Sequence, residues 1–287
     1  MRVLITGGSG LLGSKLAEIA VNRGYEVISG YVDHPPPIGE GLKLDLADPE
    51  EVRRRIVASE PDLVFHAAAL TDVDRCEVER DLAMKINVRG TELVRDAARV
   101  FGAFIVYVSS DYVFDGNRGY YREEDPTKPV NWYGQTKLLG EEGCDCIART
   151  SVIYGALPAR GKVNFALWLI ERLRAGDEVK IVTDQLITPT LNTNLAKMML
   201  EAGERRLEGT YHMAGATRIS RYDFAVEIAR VFGLDAGLIT PSRMDEMSWK
   251  AKRPLDSSLD TAKARRLLDE KPLPLKESLR ILRAEMG

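Results

Sequence analysis

Short apolar runs alternate with amphipathic stretches along the first half of the chain. Arg2-Val-Leu-Ile-Thr6 is an apolar run of strand length, and Ser14 to Asn22 then places Leu16, Ile19 and Ala20 at helical spacing. Glu26 to Val32 is a second strand-like run. The pattern predicts a helix over Pro49 to Ser59, with Asp48 as N-cap and Pro49 in the first position. Asp62 to His66 is a third strand-like run, and Asp81 to Phe101 is a long amphipathic stretch. Ala103 to Ser109 reads as a buried strand with a polar end, Trp132 to Glu142 as a helix, and Cys146 to Ser151 as the strand after it. Strand and helix in alternation predict an α/β architecture, with one parallel sheet covered by helices on both faces. Ligands of such sheets sit at the carboxyl ends of the strands, so the polar residues there are the candidates for chemistry.

The second half is less regular. Helices are predicted over Lys162 to Ala175, Leu191 to Ala202 and Arg221 to Phe232, and a strand over Glu178 to Thr183. Pro158, Pro189, Pro241 and Pro254 punctuate it. Leu275, Leu279 and Leu282 form a helical stripe in the tail, which reads as core or lobe packing and not as a partner helix. The expected organisation is a dinucleotide-binding domain over residues 1–152, joined by a later strand near 178–183, and a smaller substrate-binding lobe over residues 153–287.

At 287 residues the chain can bury a sizeable core in one large domain or two small ones. A net charge of −3 points to neither a nucleic-acid nor a membrane partner, and no apolar run is long enough to span a bilayer. No targeting segment is visible. The cysteines, Cys76, Cys144 and Cys146, are odd in number and sparse, which predicts a reducing cytoplasm. Cys144-Asp-Cys146 has no second cysteine pair and only the scattered His34, His66 and His212 beside it, so no metal site is expected.

Two motifs change the picture. Gly7-Gly-Ser-Gly10-Leu11-Leu12-Gly13 lies on the first strand–helix junction. There Gly7 permits a tight turn, Gly10 lets backbone approach a pyrophosphate, and Gly13 lets helix pack on strand. The helix start offers N–H groups and a positive dipole end to phosphates. This predicts a Rossmann-like, doubly wound fold that binds NAD(P)H. The second motif is Tyr133-Gly-Gln-Thr-Lys137, whose outer residues share one helix face. A lysine ammonium there is expected to pull the phenol's pKa from about 10 toward neutrality. Alone, each motif is weak, because Tyr and Lys are common helix-surface residues. Together, in this order, they describe a proton donor beside a nucleotide.

Other candidates sit at strand ends. Ser109-Ser110 is a turn or capping pair by itself, but with Tyr133 nearby Ser110 is placed to hold a substrate carbonyl against the phenol. Ala67, Ala68, Ala69 and Thr71 are small enough for a ribose or phosphate to lie on the backbone, or simply for tight packing. Asp45, followed by Leu46, can accept from an adenine amino group or cap the next helix. Asn87 sits in a helical pattern, facing solvent or, if buried, bending the helix and holding a water between its backbone and Lys137. Asp33 lies near the end of the second strand, with no Lys or Arg before Lys43, which tips the expectation slightly toward NAD over NADP.

These residues carry a resemblance that runs nearly end to end. The chain resembles an extended short-chain dehydrogenase/reductase of the dTDP-4-dehydrorhamnose reductase family. The resemblance rests on the glycine turn, His66 to Asp74, Ile86-Asn87-Val88, Val108 to Gly116, Tyr133 to Lys137 and Arg149-Thr-Ser151. Asn164-Phe165, Asp184-Gln185, Pro189-Thr190 and Arg253-Pro254 continue it. It implies NAD(P)H-dependent reduction of a 4-keto sugar carried on a nucleotide. Ser110 matches the family's Thr or Ser, Tyr133 its proton donor and Lys137 its lysine. On the substrate side it implies Thr71, Asp111, Tyr112, Val152, Asn164, Gln185 and Arg253, the last as a diphosphate contact or lobe closure. Val152 stands where rhamnose-forming reductases often carry Trp, Ile187 lies where Gly usually follows the Asp-Gln pair, and Asp256 replaces an Asn. Around Ser109 to Lys137 the chain is also similar to the regulatory beta subunit of methionine adenosyltransferase. Three readings follow: a reductase, an epimerase or dehydratase of the same fold, and a non-catalytic NAD(P)-binding subunit. Dehydratases usually add an acid/base pair after the strand-end Ser, where this chain has Asp111-Tyr112. The chain is compatible with a homodimer.

Overall fold

The computed structural model describes residues 1–157 and 163–287. Pro158 and the predicted helix start at Lys162 lie outside the described residues. The large sheet has seven strands, all parallel: β1 (Arg2–Thr6), β2 (Glu26–Tyr31), β3 (Glu40–Lys43), β4 (Leu63–His66), β5 (Phe104–Ser110), β6 (Cys146–Thr150) and β7 (Gly209–His212). Their spatial order is β7-β6-β5-β4-β1-β2-β3. The order reverses at β1, so the turns after β1 and β4 open side by side at the carboxyl edge. That is where a ligand of a doubly wound sheet is held.

The longer helices are α1 (Leu11–Asn22), α2 (Pro49–Ser59), α3 (Gly90–Arg99), α4 (Trp132–Leu139), α5 (Phe165–Arg174), α6 (Asn192–Glu204), α7 (Arg221–Phe232) and α8 (Leu275–Met286). The sheet is buried on both faces because its strands are apolar at consecutive positions. Val3, Ile5, Leu63, Phe65 and Val106 point to the side covered by α1 and α6. Leu4, Val64 and Ile105 point to the side covered by α2 and α3. Asp48 caps α2 as predicted, accepting from the Glu51 N–H at 3.1 Å.

One strand sits elsewhere than expected. The strand predicted near 178–183 forms, as Val179–Val182, but pairs with Ile239–Ser242 in a separate two-stranded sheet. The seventh strand of the large sheet is β7, and α6 packs on α1, β5 and β6 with Leu195, Met198 and Met199 in the same core. The chain therefore enters the lobe after residue 152 and returns to the sheet layer before leaving it again. A short apolar run reads the same whichever sheet takes it, and only the free edge of β6 decides. The lobe has its own core, where Tyr154, Leu169, Ile170, Phe224 and Ile228 meet the Leu275, Leu279 and Leu282 stripe of α8.

The predicted amphipathic stretch from 81 to 101 is also interrupted. Helix Arg80–Met84 passes into a wider π turn, Lys85–Arg89, before α3. Asn87 sits in that turn, fully buried. Among the described residues no helix is long and apolar enough to cross a membrane.

Candidate active site

The turn after β1 is built to admit backbone and nothing more. Gly7 has φ +69, a conformation L side chains rarely adopt, and a Cβ on Gly13 would stand 2.1 Å from the Gly7 carbonyl oxygen. Any side chain at Gly13 would push α1 off the turn. Gly10 is the N-cap of α1 and supplies no side-chain cap, and the helix has no acid in its first turn. Its positive end is thus left for an anion. The backbone of Ala67 and Ala68 passes so close to Gly7 that a Cβ at residue 7 would lie 3.0 Å from it. The cradle fits the diphosphate of a dinucleotide, with Gly10, Leu11 and Leu12 lining a cavity of about 480 Å³ whose wall continues over Ala69 and Thr71.

Three cofactor candidates lie elsewhere. Asp33 is exposed, two residues past the end of β2. Asp45 is exposed and takes the Ala47 N–H at 2.9 Å, the helix cap having gone to Asp48. Leu46 is 5% exposed and packs in the core under Gly90, so its side chain does not reach the cavity.

The opposite edge carries the reactive groups. Asn131 caps α4, accepting from Gly134 N–H at 2.8 Å and donating to the Lys252 carbonyl at 2.8 Å. Gly134 lets that helix press on the short turn Asp111–Val113, because a Cβ there would lie 2.1 Å from the Tyr112 carbonyl oxygen. This close packing brings Tyr133 beside Ser110, and Ser110, Tyr133 and Lys137 all line the cavity. Ser110 Oγ donates to Asp111 at 3.0 Å, accepts from the Tyr112 N–H at 3.2 Å, and lies in hydrogen-bond reach of the Tyr133 phenol. Asp111 is buried and also accepts from Ser151 at 2.9 Å and Ser257 at 2.5 Å. Burial raises its pKa and these bonds oppose the rise. With three serines on it, Asp111 orients Ser110.

The expected electrostatics are inverted. Burial pushes the Tyr133 phenol above its ordinary range, and pushes Lys137 down to about 7. The lysine does not draw the phenol toward neutrality, because both groups are out of water and each favours its uncharged form. At neutral pH the proton therefore rests on Tyr133. Lys137 Nζ lies 4.1 Å from the centre of the Tyr107 ring, whose face favours the cation.

Asn87 does not line the cavity. Its Oδ1 accepts from the Leu70 N–H at 2.7 Å, and its Nδ2 donates to the Leu70 carbonyl at 3.1 Å and to Thr136 Oγ1 at 3.0 Å. Its carbonyl accepts from Thr91 Oγ1 at 2.7 Å. The side chain ties the loop after β4 to α4, so Asn87 is a positioning residue.

A buried ion pair beneath α4 escaped the sequence reading. Glu141, one turn beyond Lys137, accepts from Arg149 at 2.9 and 2.7 Å and from Ser109 Oγ at 2.6 Å. Its charge opposes the fall in the Lys137 pKa. Glu141→Ala would leave a buried guanidinium unpaired and is expected to cost about 3–5 kcal/mol of stability. Chemical denaturation checks this, and an unchanged midpoint would exclude a structural role for the pair.

On the substrate side Val152, at φ +39, and Asn164 line the cavity, Asn164 also capping α5. Tyr112 lines it too, edge-on to Tyr133 with ring centres 5.9 Å apart. Gln185 is buried behind it and donates to the Tyr112 hydroxyl at 3.2 Å. Arg253 is not on the cavity wall. It donates to Asp74 at 2.9 Å and to the Ala251 carbonyl at 2.7 Å, strapping the chain before Pro254 to the helix Val73–Val78. Asp256 holds Arg218 at 2.9 and 2.5 Å. Arg221, which the sequence pattern marks only as a helix start, lines the cavity instead.

Residues 1–286 match the family model described as RmlD substrate binding domain. The chain is 37% identical to the probable low-salt glycan biosynthesis reductase Agl14 of Haloferax volcanii, over 91% of this chain and 90% of that protein. It is 30% identical to the methionine adenosyltransferase 2 subunit beta of Bos taurus, over 91% and 81% respectively. The crystal structure of dTDP-4-dehydrorhamnose reductase from Bacillus anthracis in complex with NADP superposes with a TM-score of 0.88 at 30% identity, covering 99% of both chains.

Proposed function

The chain belongs to the RmlD substrate binding domain family, and from that premise we propose that it reduces the C4 ketone of a nucleotide-linked 4-keto-6-deoxy sugar, as a dTDP-4-dehydrorhamnose reductase does. The family is one of NAD(P)-dependent, nucleotide-sugar reductase-like proteins. The observation that carries the finer reading is the convergence of Ser110, a protonated Tyr133 and Lys137 on one cavity beside a dinucleotide cradle.

When bound, NAD(P)H supplies hydride. The chain's residues do the rest. Ser110 turns its hydroxyl proton from Asp111 to the ketone oxygen and fixes the carbonyl. Tyr133 gives its proton to that oxygen as negative charge develops there. Lys137, when charged, stabilises the phenolate left behind. Burial of Ser110 and Lys137 keeps bulk water from these atoms.

The test is oxidation of NADH and NADPH with a panel of dTDP-, UDP- and GDP-linked 4-keto sugars. Turnover with none of them, together with tight cofactor binding, would favour the subunit reading. Formation of a 4-keto product from a nucleotide-linked hexose would favour the dehydratase. For the cofactor we propose a modest preference for NADH, since Asp33 is the one charge between Tyr31 and Glu40. Asp33→Ala should then narrow the gap between the NADH and NADPH dissociation constants. If the wild type binds NADPH at least about tenfold tighter, the preference is wrong.

A further inference from the structure

Arg221 opens α7 and is half-buried on the cavity wall. Other arginines of the lobe and its border hold carboxylates: Arg218 has Asp256, Arg253 has Asp74, and Arg149 has Glu141. Arg221 holds none among the described residues, and residues 158–162, Pro-Ala-Arg-Gly-Lys, contain no acid. Its charge is felt by Asp111, but that carboxylate is occupied by three serine hydroxyls. A half-buried guanidinium without a counter-ion, facing a cavity, is a site for an anion.

Its contacts hold it in place. Arg221 Nε donates to Gln185 Oε1 at 2.5 Å, and the guanidinium lies over the Phe165 ring, 5.4 Å from its centre. The Nε donor is committed to Gln185, so the terminal nitrogens carry the remaining donors of the fork, which suits paired phosphate oxygens. The cofactor's phosphates have their own cradle at α1. A second cationic position in the same cavity therefore implies a second anion, belonging to the substrate.

The same contacts lead to the proton donor. Gln185 accepts from Arg221 through its oxygen and donates through its nitrogen to the Tyr112 hydroxyl, at 3.2 Å. Tyr112 in turn packs its ring on Tyr133 and gives its N–H to Ser110. One buried amide thus joins the anion position to both groups that meet the ketone.

We propose that Arg221 anchors the diphosphate of the nucleotide-linked substrate and, through Gln185 and Tyr112, sets Ser110 and Tyr133 for the sugar that the anchor delivers. This rests on the reductase reading, and the experiment separates the two. Calorimetry on the NADP⁺-loaded protein measures the affinities of dTDP and UDP. Arg221→Met should weaken the tighter of them by about ten- to a hundredfold. Arg221→Lys should recover part of that loss, having charge without the fork. NADP⁺ affinity should stay within about twofold of wild type in both, which a misfolded variant would not show. Gln185→Leu leaves the guanidinium over Phe165 but cuts the relay, so it should lower kcat on a nucleotide-linked keto sugar by about tenfold or more, while weakening diphosphate affinity less than Arg221→Met does. Undiminished diphosphate binding by Arg221→Met, or no diphosphate binding by the wild type, overturns the anchor. An unchanged kcat in Gln185→Leu overturns the relay. Arg221-dependent diphosphate binding with no keto-sugar reduction leaves the anchor standing and removes the reductase.

Discussion

Tyr133→Phe is expected to slow NAD(P)H-dependent ketone reduction by about a hundred- to ten-thousandfold while leaving cofactor affinity nearly unchanged. The ring sits edge-on to Tyr112 in the first turn of α4, and Phe fills the same space. The change deletes one oxygen and its proton. Burial holds that proton on the phenol at neutral pH, so in the wild type almost every molecule is ready to donate. Without it, the oxygen formed from the ketone must take its proton from water or Ser110. Turnover is read from the loss of NAD(P)H absorbance under saturating sugar, and affinity from quenching of protein fluorescence by the cofactor. A variant that reduces the ketone at the wild-type rate would mean that Tyr133 is not the donor.

Much of this site was legible in the sequence because its parts are local. The glycine turn is seven residues long, and Tyr133 and Lys137 are one helical turn apart. The alternation of strand and helix sufficed to put both at the carboxyl edge of one sheet. Features that depend on what packs against what were not legible. β3 was missed because Glu40, Gly41 and Lys43 are exposed and only Leu42 turns inward. Gly209–His212 and Val179–Val182 are equally short, and the sheet takes only the first. The resemblance and its forked donors mark Arg253 as a diphosphate contact or a closure of the lobe, and the fold brings Asp74 from 179 residues away to pair with it. In the sequence Arg221 is only the first residue of a predicted helix, and only the fold turns it to the cavity. The spacing of Tyr133 and Lys137 reported a neighbouring charge, whereas their pKa values are set by burial, which spacing does not encode.

That inversion leads to the other large effect, at Lys137. The lysine supports proton donation only while charged, and burial leaves its pKa at about 7. Tyr133 stays protonated well above that pH, so Lys137 should govern the alkaline limb. The value of kcat/KM, which reports the free enzyme, should fall as pH rises through about 7. Burial sets several neighbouring groups apart from that pH. His66, on β4, is held neutral with its pKa down at about 3, and Cys144, beyond α4, is pushed up to about 11. Tyr107 beneath it is driven well above its ordinary range, and Asp111 is raised from the acid side. Cys76, on the helix Val73–Val78, and Glu141, bound to Arg149, both favour the charged lysine. Lys137→Met should cost at least about a hundredfold in kcat/KM and abolish the alkaline limb. The sign for stability is opposite to that for activity. Unfolded, the lysine binds its proton up to about 10.4; folded, only to about 7. Between those values the unfolded state holds more protons, so stability should rise with pH across that window. The buried charge is most costly below it, on the order of 5 kcal/mol with the favourable charge of Glu141 already counted. Lys137→Met should therefore be more stable than wild type at pH about 6 and lose that advantage toward pH about 10. Parallel urea titrations across that range check it. A wild-type alkaline limb retained in the variant would assign the ionisation to another group, and a pH-independent stability difference would mean that Lys137 is charged throughout.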